Sequence, residues 1–166
     1  MDHGHQLLIK YIQSQENVKD KTIIEIGSVR EDLEGQNSTK CFTDICKLLK
    51  MNLVSVDMDE KCSENARKVF KDNNFDRGQV YTQLGENYVR NLAYFDFIYL
   101  DGYDYDHGKH SEVRKERYVE ELGSSINNDD CWKSHLEMVG FLNEIALDHS
   151  IICFDDIISN DIGKGV

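Results

Sequence analysis

The sequence predicts a doubly wound α/β fold, in which helices cover both faces of a mostly parallel β-sheet. Short apolar runs rich in β-branched and aromatic residues alternate along the chain with longer amphipathic stretches. This alternation is typical of parallel strands joined by crossover helices. Acidic or glycine residues follow most of the apolar runs, and a length of 166 residues fits one domain with a single core.

The elements can be assigned in order along the chain. The predicted strands are Thr22–Ile26, Leu53–Val56, Gln79–Thr82, Phe95–Leu100 and Ser150–Phe154. The predicted helices are Gln6–Gln15, Ser38–Lys50, Lys61–Lys71, Glu86–Leu92, Ser111–Leu122 and Asp129–Leu147. Because right-handed crossovers bring the carboxyl ends of parallel strands to one edge, we expect a ligand crevice at that edge. Two helices separate the last two strands, and such extra helical mass usually forms a lid, a substrate wall or a dimer contact.

The composition restricts the partners and the location. A formal net charge of −12, with Lys and Arg scattered along the chain, opposes binding to nucleic acid or to an anionic membrane. The first residues lack the pattern of a signal peptide, and no apolar run approaches the roughly 18 residues of a spanning helix. Five cysteines without a C-x-x-C pair favour reduced thiols. We therefore expect a cytoplasmic protein.

A glycine-containing loop follows the first predicted strand. Gly27 and Ser28 begin it, and Gly35 precedes Ser38 at the start of the next helix. Glycine allows the backbone to approach a ligand closely, and a capped helix N-terminus presents free N–H groups to that ligand. The loop is not a G-x-G-x-x-G motif, so it is weak evidence when taken alone.

Candidate ligand-binding residues also follow the second and third predicted strands. Asp57 and Met58 follow the second strand, where an acidic residue typically accepts hydrogen bonds from ribose hydroxyls. Gly85 and Glu86 follow the third strand, where the turn could pass beside an adenine ring. An ordinary strand-to-helix turn is an equally good interpretation of Gly85 and Glu86.

Five motifs in chain order resemble those of class I S-adenosylmethionine-dependent methyltransferases: Glu25-Ile26-Gly27, Gly35-x-x-Ser38-Thr39, Val56-Asp57-Met58-Asp59, residues 95–102 (Phe-Asp-Phe-Ile-Tyr-Leu-Asp-Gly) and residues 152–156 (Ile-Cys-Phe-Asp-Asp). The resemblance covers about residues 20–160 and implies a Rossmann-like sheet. It also implies S-adenosylmethionine as the cofactor, with Glu25, Gly27 and Ser28 at its methionine part and Asp57 at its ribose.

The sequence departs from that family in two places. Residues 28–34 make the first loop longer, and the family's sheet usually has two further strands after the Asp-Asp motif, whereas this sequence stops at Val166. We therefore expect residues 1–166 to form a single domain that is C-terminally truncated or completed by another chain. An exposed sheet edge invites pairing, which favours a homodimer.

Three carboxylates at the predicted crevice suggest a metal. Asp101 follows the fourth strand, and Asp155 with Asp156 follows the fifth. Like charges that converge need a cation or a proton, and oxygen ligands suit Mg²⁺, Ca²⁺ or Mn²⁺. The pattern resembles that of metal-dependent O-methyltransferases of the catechol type, whose metal holds the hydroxyl oxygens of the substrate. The alternative is that Asp156 caps the next segment and Asp101 merely ends its strand.

The loop after Asp101 is dense in ionisable groups. It contains His107 and His110, and imidazole titrates near neutral pH, so His107 is a candidate general base. His110 and Lys109 are second candidates, and Asp101 completes the proposed catalytic set. A polar loop that faces solvent is the alternative interpretation.

The sequence thus supports methyl transfer from S-adenosylmethionine to an oxygen, or less readily a nitrogen, of a small molecule. The transfer is an in-line displacement, so alignment of donor and acceptor is the main task of the protein. A non-catalytic binding or scaffold domain is one alternative. A nicotinamide-dependent oxidoreductase is another, and the lack of G-x-G-x-x-G counts against it.

Overall fold

The architecture comes from a computed structural model that describes residues 3–28, 37–106, 108 and 110–155. The described strands are β1 (Thr22–Ile26), β2 (Asn52–Asp57), β3 (Gly78–Thr82), β4 (Phe97–Leu100) and β5 (Ile151–Phe154). The described helices are α1 (Gly4–Gln13), α2 (Ser38–Leu49), α3 (Glu60–Asp72), α4 (Gly85–Arg90), α5 (Glu112–Leu122) and α6 (Asn128–Ile145). Each predicted element is present, with boundaries shifted by only one or two residues.

The described strands form one parallel sheet in the order β3-β2-β1-β4-β5. The order of connection reverses between β1 and β4, which makes the carboxyl ends of these two strands a topological switch point. In such sheets ligands bind in the crevice at the switch point. Ile26 pairs with Val56 on one side and with Leu100 on the other, so Gly27, Asp57 and Asp101 lie at the same level at the ends of their strands. The predicted doubly wound fold is confirmed.

Alternating side chains of the strands build a core on each face of the sheet. On one face, Ile23 and Tyr99 pack with Leu8 of α1 and Phe42 of α2. On the other face, the core comes from the sheet, α4 and α6, with the members Ile24, Ile26, Val54, Val56, Val89, Phe95, Ile98, Leu100, Met138 and Leu142. Apolar residues at consecutive strand positions therefore cover both faces, which is why the strands appear in the sequence as continuous apolar runs.

No helix within the described residues is both long enough and apolar enough to cross a membrane. Residues 156–166 lie outside the described ranges, so the expectation about two further strands stays a prediction.

Gly27 fixes how closely β4 approaches the end of β1. Its φ is +92°, and a Cβ at this position would lie 2.3 Å from the carbonyl oxygen of Asp101. The Gly27 N–H donates to the carbonyl of Val56, and the Asp101 N–H donates to the carbonyl of Ile26, both at 2.8 Å. Backbone hydrogen bonds therefore hold the floor of the crevice together at a point where only glycine fits.

Replacement of Gly27 by Ala should cost about 3 kcal/mol or more, because the new methyl group meets fixed backbone in a left-handed conformation. Gly123→Ala is the matched control, since Gly123 also has a positive φ, +72°, but a Cβ there would meet nothing within 4 Å. The control should lose only about 1 kcal/mol. Urea unfolding measures both values, and equal losses would contradict the close approach.

Candidate functional site

A cleft opens at the carboxyl edge of the sheet, beside the ends of β1, β2 and β3. Its volume, open solvent included, is about 510 Å³, and its lining residues are Ile26, Gly27, Val56, Asp57, Met58, Leu84, Gly85, Glu86, Gly102, Tyr103, Leu122, Ser134 and Met138. We call it the first cleft. The walls are mostly apolar with a few polar groups, which is the usual composition of a small-molecule site.

Two glycines keep the first cleft open above Ile26. A Cβ at position 85 would lie 2.4 Å from Cγ2 of Ile26, and a Cβ at position 102 would lie 2.9 Å from the same atom. Larger residues would therefore displace Ile26 or close the cleft. The structure places the predicted residues Gly27, Asp57, Met58, Gly85 and Glu86 together around this cleft.

Asp57 is held in a defined orientation at the end of β2. Its Oδ2 accepts hydrogen bonds from the Ser28 N–H at 2.9 Å and from the Ser28 hydroxyl at 3.2 Å. Its Oδ1 accepts from the Asp59 N–H at 2.8 Å. These three hydrogen bonds fix the orientation of the Asp57 carboxylate at the edge of the cleft. Ser28, which the sequence predicts at the cofactor, is buried, and both its N–H and its hydroxyl donate to Asp57.

A second cleft of about 400 Å³, open solvent included, adjoins the first below helix α5. Its lining residues are Gly27, Asp57, Met58, Asp59, Cys62, Asp101, Gly102, Arg114, Arg117, Tyr118 and Glu121. Asp57 lines both clefts and therefore lies at their junction. Asp101, a predicted catalytic residue, reaches this second cleft and not the first.

Glu25 lies beneath the crevice and is fully buried. Its carboxylate accepts hydrogen bonds from three hydroxyls, at 2.5 Å from Ser38, 2.8 Å from Thr39 and 2.7 Å from Ser55. Burial raises the pKa of Glu25 to about 7, and the three hydrogen bonds offset only part of that effect. The structure thus places Glu25 and Ser38, both predicted at the cofactor, in a network that joins β1, β2 and α2. Gly35 lies outside the described residues.

Asp155 has a structural partner at each oxygen. Oδ1 accepts from the Gly4 N–H at the start of α1 at 3.0 Å, and Oδ2 accepts from the Tyr99 hydroxyl at 2.7 Å. Within the described ranges, no group of three His, Cys, Asp or Glu side chains could hold a metal ion. Asp156, the third predicted ligand, lies outside those ranges. The described residues therefore do not support the metal site expected from the sequence, and no chemical step is derived through a metal.

The loop after β4 is organised by contacts that the sequence did not indicate. Asp104 is buried and forms a bidentate ion pair with Arg114, with 2.6 Å between Nε and Oδ2. His110 is also buried, and its Nε2 lies 2.9 Å from the carbonyl oxygen of Tyr105. The predicted His110 is therefore not among the residues lining either cleft, while His107 and Lys109 lie outside the described residues.

The Glu25 pKa gives a testable pH dependence. Between pH 4.5, the ordinary value, and about pH 7, the folded protein holds a proton that the unfolded chain has released. The contribution of Glu25 to the free energy of unfolding therefore falls as pH rises through this window and is constant above it. The difference in that free energy between wild type and Glu25→Gln should fall by about 3 kcal/mol from pH 4.5 to 7.

Urea unfolding at several pH values measures this difference. Glu64→Gln, at an exposed position on α3, is the control for removal of one carboxylate. Wild-type and Glu25→Gln profiles that run parallel across the window would contradict the burial argument.

The comparisons with known proteins concern the fold. No model of a protein family and no curated protein matches the chain. A putative rRNA-methylase from Clostridium thermocellum has a TM-score of 0.63 and 14% identity, over 98% of this chain and 76% of its own. The putative methyltransferase yhhF from Escherichia coli has a TM-score of 0.54 and 8% identity, over 98% and 73%.

TrmN from Thermus thermophilus has a TM-score of 0.58 and 10% identity, over 90% of this chain. This chain covers only 36% of TrmN, so most of TrmN has no counterpart in it. At identities this low, the similarity concerns three-dimensional architecture. The chain has a Rossmann-like α/β fold, and it is the fold found in these three solved structures.

Proposed function

We propose that this chain is an S-adenosylmethionine-dependent methyltransferase that acts on an oxygen, or less readily a nitrogen, of a small molecule. One observation carries the proposal. Asp57 stands at the carboxyl end of β2, beside the switch point of the sheet, with its carboxylate oriented by Ser28 and exposed to both clefts. This is the position from which an acidic residue accepts ribose hydroxyls in such folds.

The first cleft suits the adenosine part of the cofactor. Apolar side chains of Ile26, Met58, Leu84 and Met138 would contact the flat faces of a base, and Asp57 would accept the ribose hydroxyls. Gly27, at the junction with the second cleft, allows backbone to approach the ligand closely. The methyltransferases with similar folds and the sequence motifs support this assignment.

Bound S-adenosylmethionine would supply an electrophilic methyl group on a sulfonium sulfur. The protein's part is to hold the acceptor in line with that group and to remove water from it. Asp101 lines the second cleft, so we assign it as the described residue placed to take a proton from the acceptor. His107 remains a second prediction for that role. The proposal includes no metal, because Asp155 already binds Gly4 and Tyr99.

The net charge favours a small acceptor. The name of the Clostridium thermocellum structure mentions rRNA. A chain with a formal net charge of −12 would repel a nucleic-acid backbone. The single-domain organisation, the homodimer and the cytoplasmic location stay predictions from the sequence.

Isothermal titration with S-adenosylhomocysteine tests the proposal. We expect wild-type protein to bind, and Asp57→Asn to bind about 10- to 100-fold more weakly, because it loses charge-assisted hydrogen bonds to ribose. Glu64→Gln, at an exposed position on α3, should bind like wild type. Circular dichroism of each variant checks that it is folded.

The outcomes separate three possibilities. If folded wild-type protein does not bind S-adenosylhomocysteine, the methyltransferase assignment is wrong. Equal binding by wild type and Asp57→Asn would show that the ribose lies elsewhere. Binding without methyl transfer to any of a panel of hydroxyl and amine compounds would favour the non-catalytic binding domain.

A further inference from the structure

Helix α5 crosses the carboxyl edge of the sheet from the side of β4 to the side of β2. At its first turns, Arg114 binds Asp104, which belongs to the segment that leads from β4 into the helix. One turn later, Nη1 of Arg117 lies 3.1 Å from Oδ2 of Asp59, in the turn after β2. These two ion pairs fix the direction in which α5 spans the crevice.

The inner face of α5 forms one wall of the clefts. Leu122 lines the first cleft, and Arg114, Arg117, Tyr118 and Glu121 line the second. Asp57 lies on the opposite wall of the second cleft. A ligand that is hydrogen-bonded to Asp57 and extends into the second cleft would therefore lie beneath α5.

The attachment of α5 to the rest of the molecule is slight. All its residues are described, and Tyr118 alone among them is buried. The helix does not pack extensively along any other described helix or strand. Tyr118 instead packs edge-to-face on Tyr103 at 5.1 Å, and its hydroxyl accepts from the Asp104 N–H at 2.8 Å. Segments with so little buried apolar surface open at a lower free-energy cost than the core.

The contacts of α5 fall into three groups. Those of Arg114 and Tyr118 with Asp104 and Tyr103 are local, because these two residues lie in the segment that leads into α5. Tyr118 also belongs to a small apolar cluster with Ile126 and Cys131, against which Met58 and Leu122 pack. The ion pair of Arg117 with Asp59 instead reaches across the crevice to the β2–α3 turn. Its side chains are only 32% and 14% exposed, so solvent screens this pair less than a fully exposed one.

Asp59 uses separate oxygens for two tasks. Oδ1 accepts from the Lys61 N–H at 2.7 Å and caps α3, while Oδ2 binds Arg117. Replacement of Arg117 therefore removes the contact with α5 and leaves the cap of α3 in place. Replacement of Asp59 would remove both, so Arg117 is the position to test.

We propose that α5 is a lid over the second cleft and over the junction of the two clefts at Asp57, and that the Arg117–Asp59 ion pair is the latch that holds it closed. Arg117 is then a positioning residue that sets how fast the cofactor enters and leaves. This inference rests on the proposed function, because it requires a ligand bound at Asp57. Lids of this kind often limit the rate of product release.

Surface plasmon resonance with S-adenosylhomocysteine as the probe measures both rate constants on the immobilised chain. We expect Arg117→Ala to raise the dissociation rate constant about three- to tenfold, the effect of losing one partly buried ion pair. The association rate constant should also rise, because an unlatched lid blocks entry less. Arg117→Lys, which keeps the charge, should fall between Arg117→Ala and wild type.

Lys115→Ala is the matched control on the same helix. Lys115 pairs with Glu112 within α5 at 2.8 Å, and that pair does not cross the crevice. This variant should keep both wild-type rate constants. Raising the salt concentration should speed dissociation from wild type and leave Arg117→Ala nearly unchanged, because screening acts on the latch.

The results distinguish the two proposals. If wild type binds and Arg117→Ala matches Lys115→Ala in both rate constants, the latch is wrong and the cofactor site stands. Faster dissociation with an unchanged association rate would show that Arg117 is a ligand contact, which also overturns the lid. If folded wild-type protein does not bind the probe, the cofactor assignment fails, and the latch fails with it.

Discussion

The buried carboxylate of Glu25 is the interaction on which the geometry of the crevice depends. It receives hydroxyl groups from β2 and from the first turn of α2, so one side chain sets the distance between two strands and a helix N-terminus. An unpaired charge at this depth would be strongly destabilising, and even three hydrogen bonds leave the carboxyl partly protonated near neutral pH. The same constraint positions Gly27 and Ser28, which come two and three residues after Glu25, and Ser28 in turn donates to Asp57.

The buried carboxylate of Glu25 can be explained by the single backbone arrangement that its hydrogen bonds select. An apolar residue at position 25 could fill the space, but it would leave the hydroxyls of Ser38, Thr39 and Ser55 without this acceptor. Buried polar networks in which every member is bonded select one arrangement of the surrounding backbone. Here the selected arrangement ties the first turn of α2 to β1 and β2 just before the turn at Gly27.

The sequence predicted the sheet well because the information was local. Continuous apolar runs marked the strands, and a residue that follows a strand in sequence also follows it in space, so Gly27, Asp57 and Gly85 were correctly placed at one edge. Side-chain orientation was not local information. Nothing near Asp155 in the sequence indicates that its partner is Gly4, and nothing near Arg117 indicates Asp59. The described residues do not show the expected acidic cluster for this reason, since carboxylates at one edge need not face one another.

The same limit explains the outcome for the ionisable loop. Asp104 and Arg114 are ten residues apart, and their pairing follows from the turn that joins β4 to α5. That turn has no periodicity from which its path could be predicted. His110 is a candidate general base in the sequence, whereas in the structure His110 and Asp104 both make contacts within the segment that joins β4 to α5.

The hydrogen bond between Gly4 and Asp155 joins residues 151 positions apart. The apolar face of α1, with Leu8 and Ile12, packs against a core that includes β4, and α1 also contacts β5, so α1 cannot dock fully before β5 is in place. Contacts of such long separation form late, since the loop they close is the costliest in entropy. We therefore expect the first helix, although it is synthesised early, to pack fully only after the chain as far as β5 has left the ribosome.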